Sequence, residues 1–241
     1  FGVAALGYLL SAVVLWPLRL PPVRREDGRS IGIVWHELSG GVRFLLMNAL
    51  LRTNTLLVAL GAIAIGMAMP LLVGYAYTVS AQGEVAYSLL NFGIGVGSVV
   101  GAVLMGTLNA RRLGSLVLLG LVVMGVGLAG LGIAPPLWVA VVLTGLTGFG
   151  NLLFLVPSVT IVQRVTPASL MGRIFALRST LLFTALIVAN GIGGWLGDRL
   201  GAERAFLAIG SALVVAALVA VAVPTTLLAD RLDEWTLEPF G

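Results

Sequence analysis

Lysine and cysteine are both missing from the 241 residues, and acidic residues number only 10. Without cysteine the chain has no disulfide, no thiolate metal site and no thiol nucleophile. Its single histidine, His36, cannot build a histidine-rich metal site; beside Trp35 and Glu37 it suits a solvated interfacial position. No apolar stretch carries paired carboxylates or a nucleophile with a base. No catalytic residue, metal site or cofactor is therefore expected. Charge is also scarce, at 10% of residues, where a soluble domain carries about 25% to clothe a surface that faces water. With 59% of the residues hydrophobic, lipid is the expected main solvent. The 14 cations are all arginine, whose long stem lets the charge reach the headgroups from an apolar site. The net charge of +4 comes with no basic run interleaved with stacking aromatics, which points to a membrane interface and away from nucleic acid.

What is present is long apolar runs. A helix crossing about 30 Å of hydrocarbon needs about 20 such residues. Seven runs qualify, at 1–18, 55–79, 84–108, 114–133, 137–162, 175–197 and 204–227. Ser80-Ala81-Gln82-Gly83 and Ala134-Pro135-Pro136 separate neighbours, and connections this short predict consecutive helices packed antiparallel. The chain opens at Phe1 inside an apolar run that lacks the order of a secretory signal, so it reads as a fragment whose N-terminal part is missing. The expected organisation is a transmembrane helix over 1–19, a cytoplasmic linker over 20–54, a six-helix bundle over 55–227 and a cytoplasmic tail over 228–241. Within the linker, Val34, Leu38, Val42, Leu45 and Ala49 recur at helical spacing, as in an amphipathic helix lying on the membrane surface.

Arginine placement orients the spans. If the seven alternate, Arg199 and Arg204 fall on one side and the other twelve arginines, from Arg19 to Arg231, on the opposite side. The arginine-rich side is cytoplasmic by the positive-inside bias, and with it the C-terminus.

Polar groups are unevenly shared. The runs 114–133 and 204–227 are apolar on every face and read as lipid-exposed. Asn91, Asn151, Thr180, Thr184 and Asn190 fall inside the third, fifth and sixth runs, where a buried amide needs a partner helix or a wet cavity. Those three helices should line the interior, with Asn91, Asn151, Thr184 and Asn190 as candidate walls of a substrate cavity. Gly93, Gly97 and Gly101 recur every four residues and form a smooth face for close helix packing. Pro70 and Pro157 interrupt the second and fifth runs, as hinges or as fixed bends. Asp198 and Arg199 stand where one helix ends and the next begins, in reach of orphan amides and of Glu203 and Arg204. No Asp or Glu lies near a predicted midplane, so a proton-coupling residue would belong to the missing half.

Two stretches share the pattern G-x-L-x-[A/D]-R: Gly106 to Arg111, and Gly194 to Arg199, 88 residues further on. That interval holds three helices, which puts the copies on opposite sides of the membrane as an inverted repeat. The second copy, GWLGDRLG from Gly194 to Gly201, resembles the G-x-L-x-D-R-x-G loop signature of the major facilitator superfamily. The first copy resembles the superfamily's loop between helices eight and nine, with Ala110 in place of the Asp. Three further stretches resemble its drug, macrolide and enterobactin exporters. They are Glu37 to Leu45 leading to Arg52, Thr166 to Arg173, and Ala189-Asn190-Gly191-Ile192-Gly193-Gly194.

The resemblance implies the C-terminal half of a transporter, all-α and polytopic. It would be a six-helix bundle of two inverted three-helix repeats, preceded by one transmembrane helix. It implies secondary active efflux of drug-like or amphipathic small molecules by alternating access, as in antiporters, with Gly194, Asp198, Arg199, Gly201, Gly106 and Arg111 in gating loops. The implied partners are a missing N-terminal six-helix half, membrane lipid, a small-molecule substrate and protons, in a bacterial plasma membrane. The competing reading is a non-transporting membrane module that packs with or recruits a partner protein.

Overall fold

The computed structural model describes residues 6, 9–13, 40–79, 83–107 and 112–222. The chain divides into two units, Phe1–His36 and Glu37–Gly241. In the first, residues 6 and 9–13 are helical. The rest of the expected first span and most of the expected linker lie outside the described residues, as does Arg111. Among its described residues the second unit holds six helices long and apolar enough to cross a membrane. They are α1 (Ala49–Val79), α2 (Gly83–Thr107), α3 (Leu113–Leu131), α4 (Leu137–Val165), α5 (Ala168–Leu200) and α6 (Ala202–Val221). Among the described residues there is no strand. The chain is an all-α polytopic membrane protein.

Local chemistry sets the boundaries. Residues 40–47 form a further helical stretch that ends at Asn48. The Asn48 side chain accepts a hydrogen bond from the Leu51 N–H at 3.1 Å, capping the orphan amides at the start of α1. That cap starts α1 at Ala49, ahead of the apolar run at 55. Pro136 and Pro167 precede α4 and α5 with φ of −59° and −57°, so each delivers the chain into a helix without needing an N–H of its own. Pro167 accordingly starts α5 at Ala168, well before the apolar run that begins at 175. Gly201 joins α5 to α6 at φ 82°, a conformation that costs a residue with a Cβ. Both internal prolines, Pro70 and Pro157, sit inside helices that continue past them.

The packing order differs from the chain order. Five helices close a ring in which α1 meets α2, α2 meets α4, α4 meets α3, α3 meets α6 and α6 meets α1. The remaining helix, α5, lies along α1 and touches α6 more lightly. The pairs joined by the two named short connections, α1–α2 and α3–α4, do pack together, whereas α2 packs on α4 rather than on α3, and α5 packs on α1 rather than along α4. Glycine decides this. A Cβ on Gly93 would lie 2.5 Å from the Val141 carbonyl oxygen, and one on Gly97 would be driven into the Gly145 carbonyl. Gly101 faces Phe149 and Leu152 one turn further on. The α3–α4 seam is built the same way, with a Cβ on Gly120 2.5 Å from the Phe154 nitrogen and one on Gly150 2.5 Å from the Met124 nitrogen. Gly125 and Gly210 perform this service between α3 and α6.

The apolar α3 is not the lipid-facing helix its sequence suggests. It is the most buried span, with 56% of its most apolar stretch inside the unit, because α4 and α6 grip it from two sides. The least buried spans are α2 at 22% and α5 at 17%, two of the three helices expected to line the interior. Of their polar residues, Thr180 and Thr184 are exposed and Asn91 and Asn190 half-buried, while Arg178 of α5 is buried.

Close backbone contact predicts a sharp contrast on one helix. Gly97→Ala should destabilise the protein by about 1–3 kcal/mol, since α2 must move off α4 to admit a methyl. Gly95→Ala, where a Cβ meets nothing within 4 Å, should be neutral or slightly stabilising. Thermal unfolding of both variants in detergent reads the difference.

Candidate functional site

Three polar zones are spaced along α1. At its start, Asn54 and Thr55 are buried. The Asn54 Nδ2 donates to the Ser158 carbonyl of α4 at 3.0 Å. Arg178 of α5, only 3% exposed, donates to the same carbonyl from Nη1 at 3.3 Å and to the Ser158 hydroxyl from Nη2. One residue of α4 thus gathers α1 and α5. Ser158 follows Pro157, whose ring removes a backbone donor and leaves the preceding turn short of a helical hydrogen bond. Around this knot Leu51, Val162 and Ile174 form a small apolar cluster that excludes water. The Asn54 Oδ1, Thr55 Oγ1 and Thr166 Oγ1 are buried without a hydrogen-bond partner among the described residues.

At the far end of α1, Tyr75 is fully buried. Its hydroxyl donates to the Pro135 carbonyl at 3.4 Å, and its ring meets Phe206 of α6 edge-on, with centroids 5.7 Å apart and planes at 88°. That contact ties the turn between α3 and α4 to α1 and α6. Between the two ends, side chains of the ring line a partly open cavity of about 200 Å³. Asn151, Thr144 and Thr147 of α4 line it, with apolar side chains from α1, α2, α3 and α6.

Of the four residues expected in one substrate cavity, Asn151 alone lines this one. Asn91 and Asn190 are half-buried, and each spends an Nδ2 donor on its own helix, at the Tyr87 carbonyl (2.9 Å) and the Leu186 carbonyl (2.8 Å). Thr184 is exposed on α5, on the side away from Ala189 and Gly193, the residues through which α5 packs on Gly66 and Met67 of α1. Thr180, one turn earlier, shares that exposed side and back-bonds to the Ala176 carbonyl at 3.0 Å. In the loop motif, Gly106 and Gly194 each have open space where a Cβ would sit. Asp198 is exposed, and Arg199 lies over the Trp195 ring at 5.8 Å instead of pairing with a carboxylate. The expected charge network around Asp198 is not formed among the described residues.

The sequence reading missed Asn54, Ser158 and Arg178. A count of arginines by side treats Arg178 as solvated. Its spacing of four from both Ile174 and Leu182 was the available signal, since that register puts it on the packed stripe of α5. Thr144 and Thr147 were equally readable, seven and four residues before Asn151 on one helical face.

Compared with known proteins, residues 1–236 match the family model described as a transmembrane secretion effector. No curated protein matches the chain.

The knot at Ser158 should act as a unit. Arg178→Met and Ser158→Ala should each lower stability, and the double variant should lose less than their sum. The expected coupling is about 1–3 kcal/mol, as for a hydrogen bond to a charged donor. Unfolding free energies of the four proteins measure it.

Proposed function

The chain belongs to the transmembrane secretion effector family of the major facilitator superfamily, and on that basis we propose that it is the C-terminal half of an exporter of drug-like or amphipathic small molecules, working by alternating access. A secondary transporter needs two helical bundles facing one another across a substrate path. The observation that best supports this reading is the outward face of α5. It is the least buried span, and it presents Thr180 and Thr184 on the side opposite its packed face. Hydroxyls placed there suit the wall of a wet path between two bundles better than contact with lipid alone. Asn91 and Asn190, half-buried at the flanks of their helices, are proposed to border the same path. Residues 1–19 would end the preceding half, 20–54 would link the halves on the cytoplasmic side, 55–227 would form this bundle and 228–241 its cytoplasmic tail. The bundle would sit in a bacterial plasma membrane with the arginine-rich loops inside. A proton-coupling carboxylate would lie in the other half.

The loop motif takes a structural role in this reading. Gly201 turns the chain at positive φ between α5 and α6, and the Arg199–Trp195 contact holds a cation against an aromatic face at the end of the membrane span. Pro157 lies inside α4 next to Ser158, which receives α1 and α5, so motion of α4 would be felt by both.

Two measurements test the proposal. Thr184→Val keeps volume and removes only a hydroxyl. It should cut export of hydrogen-bonding substrates by about 5–10-fold while sparing purely apolar ones, with protein abundance unchanged. A uniform loss that tracks abundance rejects Thr184 as a wall residue. For orientation, single cysteines at Arg112 and Ile133, exposed at opposite ends of α3, should react differently with an impermeant maleimide. Ile133→Cys should label on intact cells and Arg112→Cys only after permeabilisation. The reverse pattern inverts the topology.

A further inference from the structure

The cavity inside the ring of α1, α2, α4, α3 and α6 is separate from the outward face of α5. We propose that it is a binding site within this single bundle for a small, largely apolar molecule: one substituted ring carrying one hydroxyl or amide group.

Size comes first. The cavity holds about 200 Å³. An engineered apolar cavity of about 150 Å³ in another protein takes up benzene, so this one suits a single ring with a short substituent. The chemistry of the wall narrows the class. Among the described residues no charged side chain lines the cavity, which disfavours an ionic guest. Leu128, Met69 and Phe206 supply much of an apolar lining, and the thioether of Met69 adapts to irregular shapes. Phe206 is held by the edge of Tyr75, so that wall is fixed.

The polar part is confined to one face of α4. Thr144 and Thr147 donate their hydroxyl hydrogens to the Val141 and Leu143 carbonyls, at 2.9 and 3.0 Å, which leaves their oxygens as acceptors. The Asn151 amide has no hydrogen-bond partner among the described residues, although it sits in the middle of a span and lines the cavity. An amide so placed needs a partner, since leaving it unpaired in an apolar setting costs free energy. A guest with one hydroxyl or amide answers both halves of that requirement. Its polar group meets Asn151, and its ring fills the apolar remainder. The cavity also cannot close by collapse, because glycine contacts already bring the backbones of α2, α3 and α4 together on either side of it.

Photolabelling of the protein in phosphatidylcholine nanodiscs tests the site. The probes are 4-azidobenzyl alcohol and, as a matched ring without the hydroxyl, phenyl azide. The site predicts saturable labelling by the alcohol, mapped by mass spectrometry to residues 65–72, 128–131 and 144–151. Asn151→Leu, of similar volume, should weaken capture of the alcohol by about fivefold and leave phenyl azide unaffected, as expected for the loss of one hydrogen bond. Ala68→Phe should abolish capture of both by filling the space. If Ala68→Phe does not fold, the Asn151→Leu contrast between the two probes still decides. Label confined to outward residues such as Val99 and Leu218, or an alcohol signal indifferent to Asn151→Leu, overturns the proposal. None of these readouts depends on transport, so the outcome is independent of the role assigned to Thr184.

Discussion

The bundle depends on the backbone contact of Gly97 with Gly145. In lipid there is little hydrophobic gain in pressing one apolar helix against another, so association rests on dispersion contacts, and these grow as backbones approach. Where α2 crosses α4, no side chain separates the two main chains, and Gly148 meets the Ile94 carbonyl one turn away. The same device recurs where α3 meets α4 and where α3 meets α6. Each seam leaves one arrangement available to its pair. The position of α4 then fixes where Asn151 points and where Ser158 meets α1 and α5.

Hydrogen bonds complete what the glycines begin. Asn54 and Tyr75 pin α1 at two points 21 residues apart, roughly 30 Å of helix. The first pin includes a buried arginine that meets a carbonyl and a hydroxyl rather than a carboxylate. Such a charge is costly to bury, and it is tolerated here because its hydrogen bonds are directed at Ser158, beside the helix-internal Pro157. The consequence is a polar connection between α4 and α5 beside the apolar cluster of Leu51, Val162 and Ile174. The rest of α5 is left with a free outward face, which is where a transport path has room to run.

Much of the architecture was legible in the sequence, because the hydrocarbon thickness imposes a length on every span. The centres of all six described spans fall inside the apolar runs. The starts of α2, α3, α4 and α6 also lie within about two residues of their runs, whereas those of α1 and α5 were not legible from hydropathy, since Asn48 and Pro167 act through capping and backbone geometry, not through apolarity. The burial of α3 was misread for a related reason. A helix apolar on every face fits lipid and protein interior equally well, and only its glycines at 120, 125 and 127 hint at close partners. Spacing showed that Gly93, Gly97 and Gly101 share a face, but not which carbonyls that face would meet. The polar residues followed the same limit. Position along the chain places Asn151 and Thr184 both in mid-span, and only packing separates them into the ring interior and the outward face of α5.

The central claim is that glycine contacts weld α2, α4, α3 and α6 into one body. Paired spin labels on cysteines at Val99 of α2 and Leu218 of α6, both exposed, measure it directly in a chain that has no cysteine of its own. Pulsed electron resonance should give one distance that holds to within about 2 Å between substrate-free and substrate-saturated protein, as rigid-body motion of a bundle requires. A shift of more than about 5 Å, or a split into two populations, would show the ring itself deforming and contradict the account.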